Sequence, residues 1–133
     1  MFIQEVSEKF ELSQDTLRYY ERIGLIPRVN RTKSGLRDYT EEDCRWVEFV
    51  KCMRGAGLPV EVLIEYLGLF QQGDETQEVR KELLIDQRKL LRARMEEMKR
   101  VLERMDDKIE RYEQTIVKKE KTLSRAQNIE LSH

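Results

Sequence analysis

Apolar residues return along this chain at helical intervals, in two different regimes. Over residues 1–73 the stripes are short and interrupted. Ile3, Val6 and Phe10 stand at i, i+3 and i+7 and predict a first helix, which ends at a tight turn through Glu11-Leu12-Ser13. Leu17, Tyr20 and Ile23 recur at three-residue steps in a second helix, capped at its start by Ser13, stopped by Gly24 and barred from resuming by Pro27. Two helices joined this closely make a helix-turn-helix pattern. Residues 27–39 have no helical period. There Arg28-Val29 and residues 36–39 flank Asn30, Ser34 and Gly35, predicting a small β-hairpin with a basic tip, a wing. Thr40 caps a third helix, with Asp43 three residues on as its capping-box partner. Trp46, Phe49, Val50 and Met53 line one face of that helix, and Gly55 or Gly57 ends it. Pro59 fits the first turn of a fourth helix, whose apolar face is Val62, Leu63, Tyr66, Leu67 and Phe70 and which Gly73 closes.

From Asp74 the pattern changes to charged heptads without Pro or Gly. Leu84, Leu91, Met98, Met105 and Tyr112 are spaced by seven, and so are Met95, Leu102, Ile109, Ile116 and Leu123. Taken as d and a positions they form a coiled-coil seam, with Arg88 and Lys119 at its weaker ends. The e positions Arg92, Lys99, Asp106 and Glu113 run from positive to negative. An antiparallel register pairing Leu102 with Met105 of a second copy also pairs Lys99 with Asp106 and Arg92 with Glu113. A parallel pair would set Arg94 against Lys99. Each exposed pair is worth only ~0.2–1 kcal/mol, so their common sign, not their size, selects the antiparallel homodimer. The expected organisation is mainly α: a winged helix-turn-helix head over 1–73, a coiled-coil dimerisation helix over 74–123, and a short disordered tail over 124–133.

At 133 residues the chain holds one compact domain plus an extension, and its net charge of −1 provides no overall field for nucleic acid. The charge is clustered instead. Between Arg18 and Arg37 there are six basic residues (Arg18, Arg22, Arg28, Arg31, Lys33, Arg37) against one acid, Glu21. On the second helix Arg18, Tyr19 and Arg22 fall opposite the apolar stripe, a guanidinium–phenol–guanidinium face suited to phosphates and base edges. The plain alternative is a solvated surface helix. No apolar run has membrane length, the N-terminal stretch lacks a secretion-signal layout, and two cysteines make no disulfide framework, so a cytoplasmic setting is expected. Enzyme chemistry has no visible basis: there is no phosphate-cradling glycine loop, no metal-spaced cluster and no nucleophile with a histidine partner, the single His133 being terminal. No cofactor or metal is expected.

Ser13, Thr16-Leu17-Arg18-Tyr19-Tyr20-Glu21, Gly24-Leu25-Ile26, the wing segment Gly35-Leu36-Arg37-Asp38-Tyr39-Thr40 and the Gly57-Leu58 junction together resemble the MerR family of bacterial transcription regulators. The long terminal helix is similar to the antiparallel dimerisation helix of that family, so the resemblance covers nearly the whole chain. Leu36 departs from it, since the family often has an aromatic residue there. The resemblance implies a dimer on a near-palindromic operator in the overlong spacer of a promoter, which it distorts to align the promoter elements for RNA polymerase. By position it implies DNA contacts from Arg18, Tyr19 and Arg22, wing contacts from Lys33, Arg37 and Tyr39, and a weaker one from Arg54.

What switches such a protein is narrowed by composition. Ten residues after Leu123 are too few for a drug-binding domain, and no cysteine follows Cys52. Cys44 and Cys52 lie on the third helix, roughly 12 Å apart along its axis, too far for a disulfide. From a core face centred on Trp46 and Val50, Cys44 falls on the far side and Cys52 on the flank. A subgroup of the family, the NmlR/AdhR type, senses reactive aldehydes or nitrosative stress through a cysteine in this helix, and Cys52 matches that position. The alternative is that Cys52 is a small packed hydrophobe. A drug- or polyamine-responsive regulator, a DNA-bending excisionase-like protein and a coiled-coil adaptor stand beside the thiol reading.

Overall fold

The computed structural model describes the backbone of residues 1–131 and the side chains of residues 1–123. In chain order it has α1 (Ile3–Phe10), α2 (Gln14–Ile23), β1 (Asn30–Arg31), β2 (Arg37–Asp38), α3 (Glu41–Gly55), α4 (Val60–Gln72), a 3₁₀ turn (Asp74–Thr76) and α5 (Gln77–Leu131). This is the expected mainly helical chain with four head helices, a two-stranded wing and a long last helix. Two compact units are present, Met1–Lys89 and the chain from Leu90 onward.

The helix boundaries follow from local chemistry. Ser13 Oγ accepts from the Thr16 amide at 3.0 Å, and Gly24 (φ 84°) closes α2 in the left-handed conformation that costs glycine least. Thr40 and Asp43 form the expected reciprocal box, at 3.1 Å and 2.9 Å, ahead of α3. Pro59 lies just outside α4, at its N-cap rather than in its first turn. β1 and β2 pair antiparallel, Asn30 with Asp38 and Arg31 with Arg37. The first strand therefore begins two residues later than the Arg28-Val29 flank suggested, because Val29 is drawn into the core (3% exposed).

The core of the first unit is built on Val6, Leu17, Leu25, Ile26, Val47 and Val50, all fully buried. Leu25, Ile26 and Leu58 come from the connections after α2 and α3, which no periodicity marks. Truncating one of these side chains, such as Leu17→Ala, costs about 2–5 kcal/mol. Beside the core, Trp46 packs its ring at 5.1–6.0 Å from those of Phe49, Tyr66 and Phe70. Phe70 is 40% exposed and takes the Arg80 guanidinium over its face at 5.1 Å, so it carries less burial than its place on the apolar stripe implied.

Two boundaries differ from expectation. The head does not stop at Gly73. The Thr76 hydroxyl donates to the Leu69 carbonyl, Arg80 covers Phe70, and Thr76 and Gln87 are buried, so the first turns of α5 belong to the head. At the other end the helix runs on through 124–131, where a disordered tail was expected. That stretch contains no Gly or Pro to stop it. His133 lies outside the described residues.

Along α5 the heptad residues are open to solvent. Leu84, Leu91, Met95, Met98, Leu102, Met105, Ile109, Tyr112, Ile116 and Leu123 are between 36% and 67% exposed. An isolated exposed leucine carries no message, but a ladder of ten on one helix face is surface made to be covered.

Candidate nucleic-acid interface

The site is assembled from α2 and the wing. Burial of Leu17 and Tyr20 fixes the rotation of α2 and turns Arg18, Tyr19 and Arg22 outward. Tyr19 is 42% exposed and the Arg22 guanidinium stacks over its ring at 5.5 Å, so the two side chains form one flat cationic surface. Arg18 is tethered to Asp15 at 3.0 Å and to Gln14 at 3.3 Å. Asp15 is almost wholly solvated, so this tether is weak and a phosphate can displace it.

In the wing, Gly35 (φ 87°) makes the turn, and Arg31 donates back to the Gly35 carbonyl at 3.0 Å, which stiffens the tip carrying exposed Lys33. In β2 Arg37 turns towards α2 and Asp38 faces out, and Tyr39, the residue after the strand, turns into the core. This corrects the reading of Tyr39 and gives Arg37 a partner within the protein. Tyr39 is 2% exposed and belongs to the core, so it presents no surface to DNA; its hydroxyl is buried without a hydrogen-bond partner among the described residues. Arg37 is held by its Nε to Glu21 Oε1 at 2.9 Å, the two side chains only 20% and 12% exposed. Arg54 also has local work, donating to the Leu58 carbonyl at 2.9 Å beyond the end of α3.

Two residues of the basic cluster that were given no contact of their own complete the site. Arg28 and Glu21 join Arg18, Arg22 and Arg37 around a recess of about 420 Å³ between α2 and the wing. The density of basic residues pointed to Arg28. Nothing in the sequence joins Glu21 to Arg37, sixteen positions away.

The cysteines also separate. Both line one groove of about 1070 Å³, with Lys9 and Phe10 of α1 and Arg45 and Lys51 of α3 on its walls. Cys52 is exposed, but Cys44 is buried in the core cluster, contrary to its expected place on the far side of α3. The reason is that α3 is covered on two faces: Val47, next to the expected stripe, is fully buried, and the Lys51 amine donates to the Phe10 carbonyl, tying α3 to α1. Burial pushes the Cys44 thiol up, with Lys9 opposing. Burial likewise raises the Tyr20 and Tyr39 phenols; Glu21 adds to the effect on Tyr39, and Arg54 opposes it on Tyr20. Among the described residues no group of three or more His, Cys, Asp or Glu is placed to hold a metal, and no helix is long and apolar enough to cross a membrane.

Comparison with known proteins agrees with this geometry. Residues 1–68 match the model of the MerR HTH family regulatory proteins, and residues 44–108 match that of the MerR DNA-binding region. The HTH-type transcriptional regulator AdhR of Bacillus subtilis is 58% identical over 91 residues, a match spanning 68% of this chain and 65% of AdhR. The crystal structure of a MerR family transcriptional regulator from Listeria monocytogenes superposes with a TM-score of 0.88 at 47% identity, covering 93% of this chain and 94% of that one. That of HiNmlR, a MerR family regulator lacking the sensor domain and bound to promoter DNA, gives 0.77 at 29% identity, covering 85% and 90%. The chain belongs to the MerR family and is a DNA-binding transcription regulator, not an enzyme.

Proposed function

We propose that two copies of the chain, joined along α5 in antiparallel register, bind a near-palindromic operator in an overlong promoter spacer. Reaction of Cys52 with an electrophile, an aldehyde or a nitrosating agent, then makes the dimer distort the spacer for RNA polymerase. The observation that carries the DNA reading is the outward cationic face of α2, with Arg18, Arg22 and Arg28 around one recess and Lys33 exposed at the wing tip. The ladder of exposed apolar residues on α5 supports a second copy, whose two-fold symmetry suits a palindrome. HiNmlR, bound to promoter DNA without a sensor domain, is a precedent for a chain of this plan. Acting on DNA, the protein is placed in the cytoplasm.

Cys52 is the better thiol of the two because it is exposed on an open groove, whereas Cys44 is buried and its thiol raised by burial. The Cys52 thiolate adds to the carbonyl carbon of an aldehyde, and the resulting alkoxide takes up a proton to give a hemithioacetal. The added group lies where α3 faces α1, so it changes how those two helices pack beneath α2.

Two variants test the parts separately. Arg18→Ala weakens operator binding sharply in gel-shift titration and leaves the dimer intact; unchanged affinity at moderate salt removes Arg18 from the site. Cys52→Ser binds the operator as wild type does but is not induced by formaldehyde, methylglyoxal or a nitrosothiol in run-off transcription. A fully inducible Cys52→Ser ends the thiol reading while leaving DNA binding in place.

A further inference from the structure

A carboxylate in a surface built to meet phosphates works against binding, yet Glu21 stands among Arg18, Arg22, Arg28 and Arg37 at the junction of α2 and the wing. It is not a solvated charge that DNA can push aside. Its side chain is 12% exposed, and it holds Arg37 Nε at 2.9 Å across the gap between the recognition helix and β2. Within the wing the links are local, Arg31 to Gly35 and Leu36 and Ser34 to Thr32, and β2 is held at its far end by the chain start, where the Met1 ammonium meets Asp38 Oδ1 at 3.0 Å and Phe2 bridges to Asp38. Towards α2, among the described residues, the side-chain bond is Glu21–Arg37.

We propose that Glu21 is the specificity-determining positioning residue of the interface: its pairing with Arg37 fixes the wing against α2, so that only DNA of the right groove shape meets both at once. Three features carry this. A half-buried ion pair is poor at adding stability but good at fixing geometry, since neither charge can be left unpaired there. Holding Arg37 by Nε leaves its two Nη groups free to point at a phosphate in one fixed direction. The cost to general affinity is part of the effect, because a carboxylate beside the backbone path weakens binding to every sequence while the positioned wing restores it for the matching one. The proposal rests on the DNA-binding reading and adds a role for an acid within it.

The test measures affinity for two duplexes of equal length, one selected from a random library by the wild-type protein and one scrambled. Glu21→Gln, nearly isosteric, raises affinity for the scrambled duplex and lowers it for the selected one, so their ratio falls about tenfold. The salt dependence on the scrambled duplex steepens by about one unit of slope as a guanidinium is released to phosphates. Glu21→Asp keeps the charge but withdraws it by about one carbon–carbon bond, some 1.5 Å, and lowers the ratio without raising scrambled affinity. In an Arg37→Gln background, Glu21→Gln leaves the ratio unchanged within twofold. The proposal is overturned if both affinities rise together, which makes Glu21 a simple repulsive charge. It is equally overturned if both fall in step with the melting temperature, or if Glu21→Asp matches wild type. A wild-type protein with no preference between the duplexes refutes the DNA-binding reading itself, and so is told apart from a failure of the Glu21 role.

Discussion

At the scale of single residues, the end of the wing shows how neighbouring positions divide labour. Arg37 of β2 becomes a strut to α2, while Tyr39, just past the strand, becomes core. The Tyr39 hydroxyl is buried with no partner among the described residues, and an unpaired polar group in that setting costs stability. Tyr39→Phe is therefore expected to raise stability by up to about 1 kcal/mol and to leave DNA affinity unchanged. Calorimetry together with a gel-shift titration checks both; a clear loss of DNA affinity at unchanged stability would return Tyr39 to the interface. From the sequence, Tyr39 and Tyr19 look alike, each an aromatic among basic residues. Whether a ring faces DNA or core depends on which face of its element is covered.

At the scale of elements, α5 carries two patterns. The 3₁₀ turn and the first turns of α5 present Thr76, Arg80 and Gln87 to the head, and the heptad ladder begins on the same stripe at Leu84, four residues after Arg80 and three before Gln87. The ladder was legible in the sequence because a narrow stripe at spacing of seven survives any packing. The head's claim on the helix start was not, since it rests on a threonine, an arginine and a glutamine that no hydrophobic period includes. The proposed register gives a direct measurement. In a chain free of its native cysteines, Arg92→Cys with Glu113→Cys forms a disulfide between copies on mild oxidation, visible on a non-reducing gel. Strong crosslinking of Arg92→Cys alone, 92 to 92, contradicts the antiparallel register.

On the scale of the whole molecule, three weak acids share one core. Cys44, Tyr20 and Tyr39 each keep their proton in the fold at a pH where the unfolded chain has lost it, because burial disfavours the charged form. The unfolded state then binds fewer protons than the native one, so unfolding free energy falls as pH rises. The stabilisation is complete below the unfolded thiol value of about 8.5 and is lost as pH climbs through the raised thiol and phenol values. Denaturant midpoints are expected to decline on the alkaline side, and Cys44→Ala combined with Tyr39→Phe is expected to flatten that decline. A slope of the opposite sign contradicts the burial of these groups.

The sequence by itself determined the helices, their caps, the wing, the outward Arg18–Tyr19–Arg22 face and the apolar ladder of α5. All of these depend on neighbours within a few residues or on one helix face, and the period of the chain records them directly. Tertiary structure decided what lies between elements: Cys44 goes under and Cys52 stays out, Leu25, Ile26, Val29 and Leu58 enter the core from loops, and Glu21 meets Arg37 across sixteen residues. The physical reason is that burial and charge pairing are set by the surface a residue is packed against, and that surface belongs to another part of the chain.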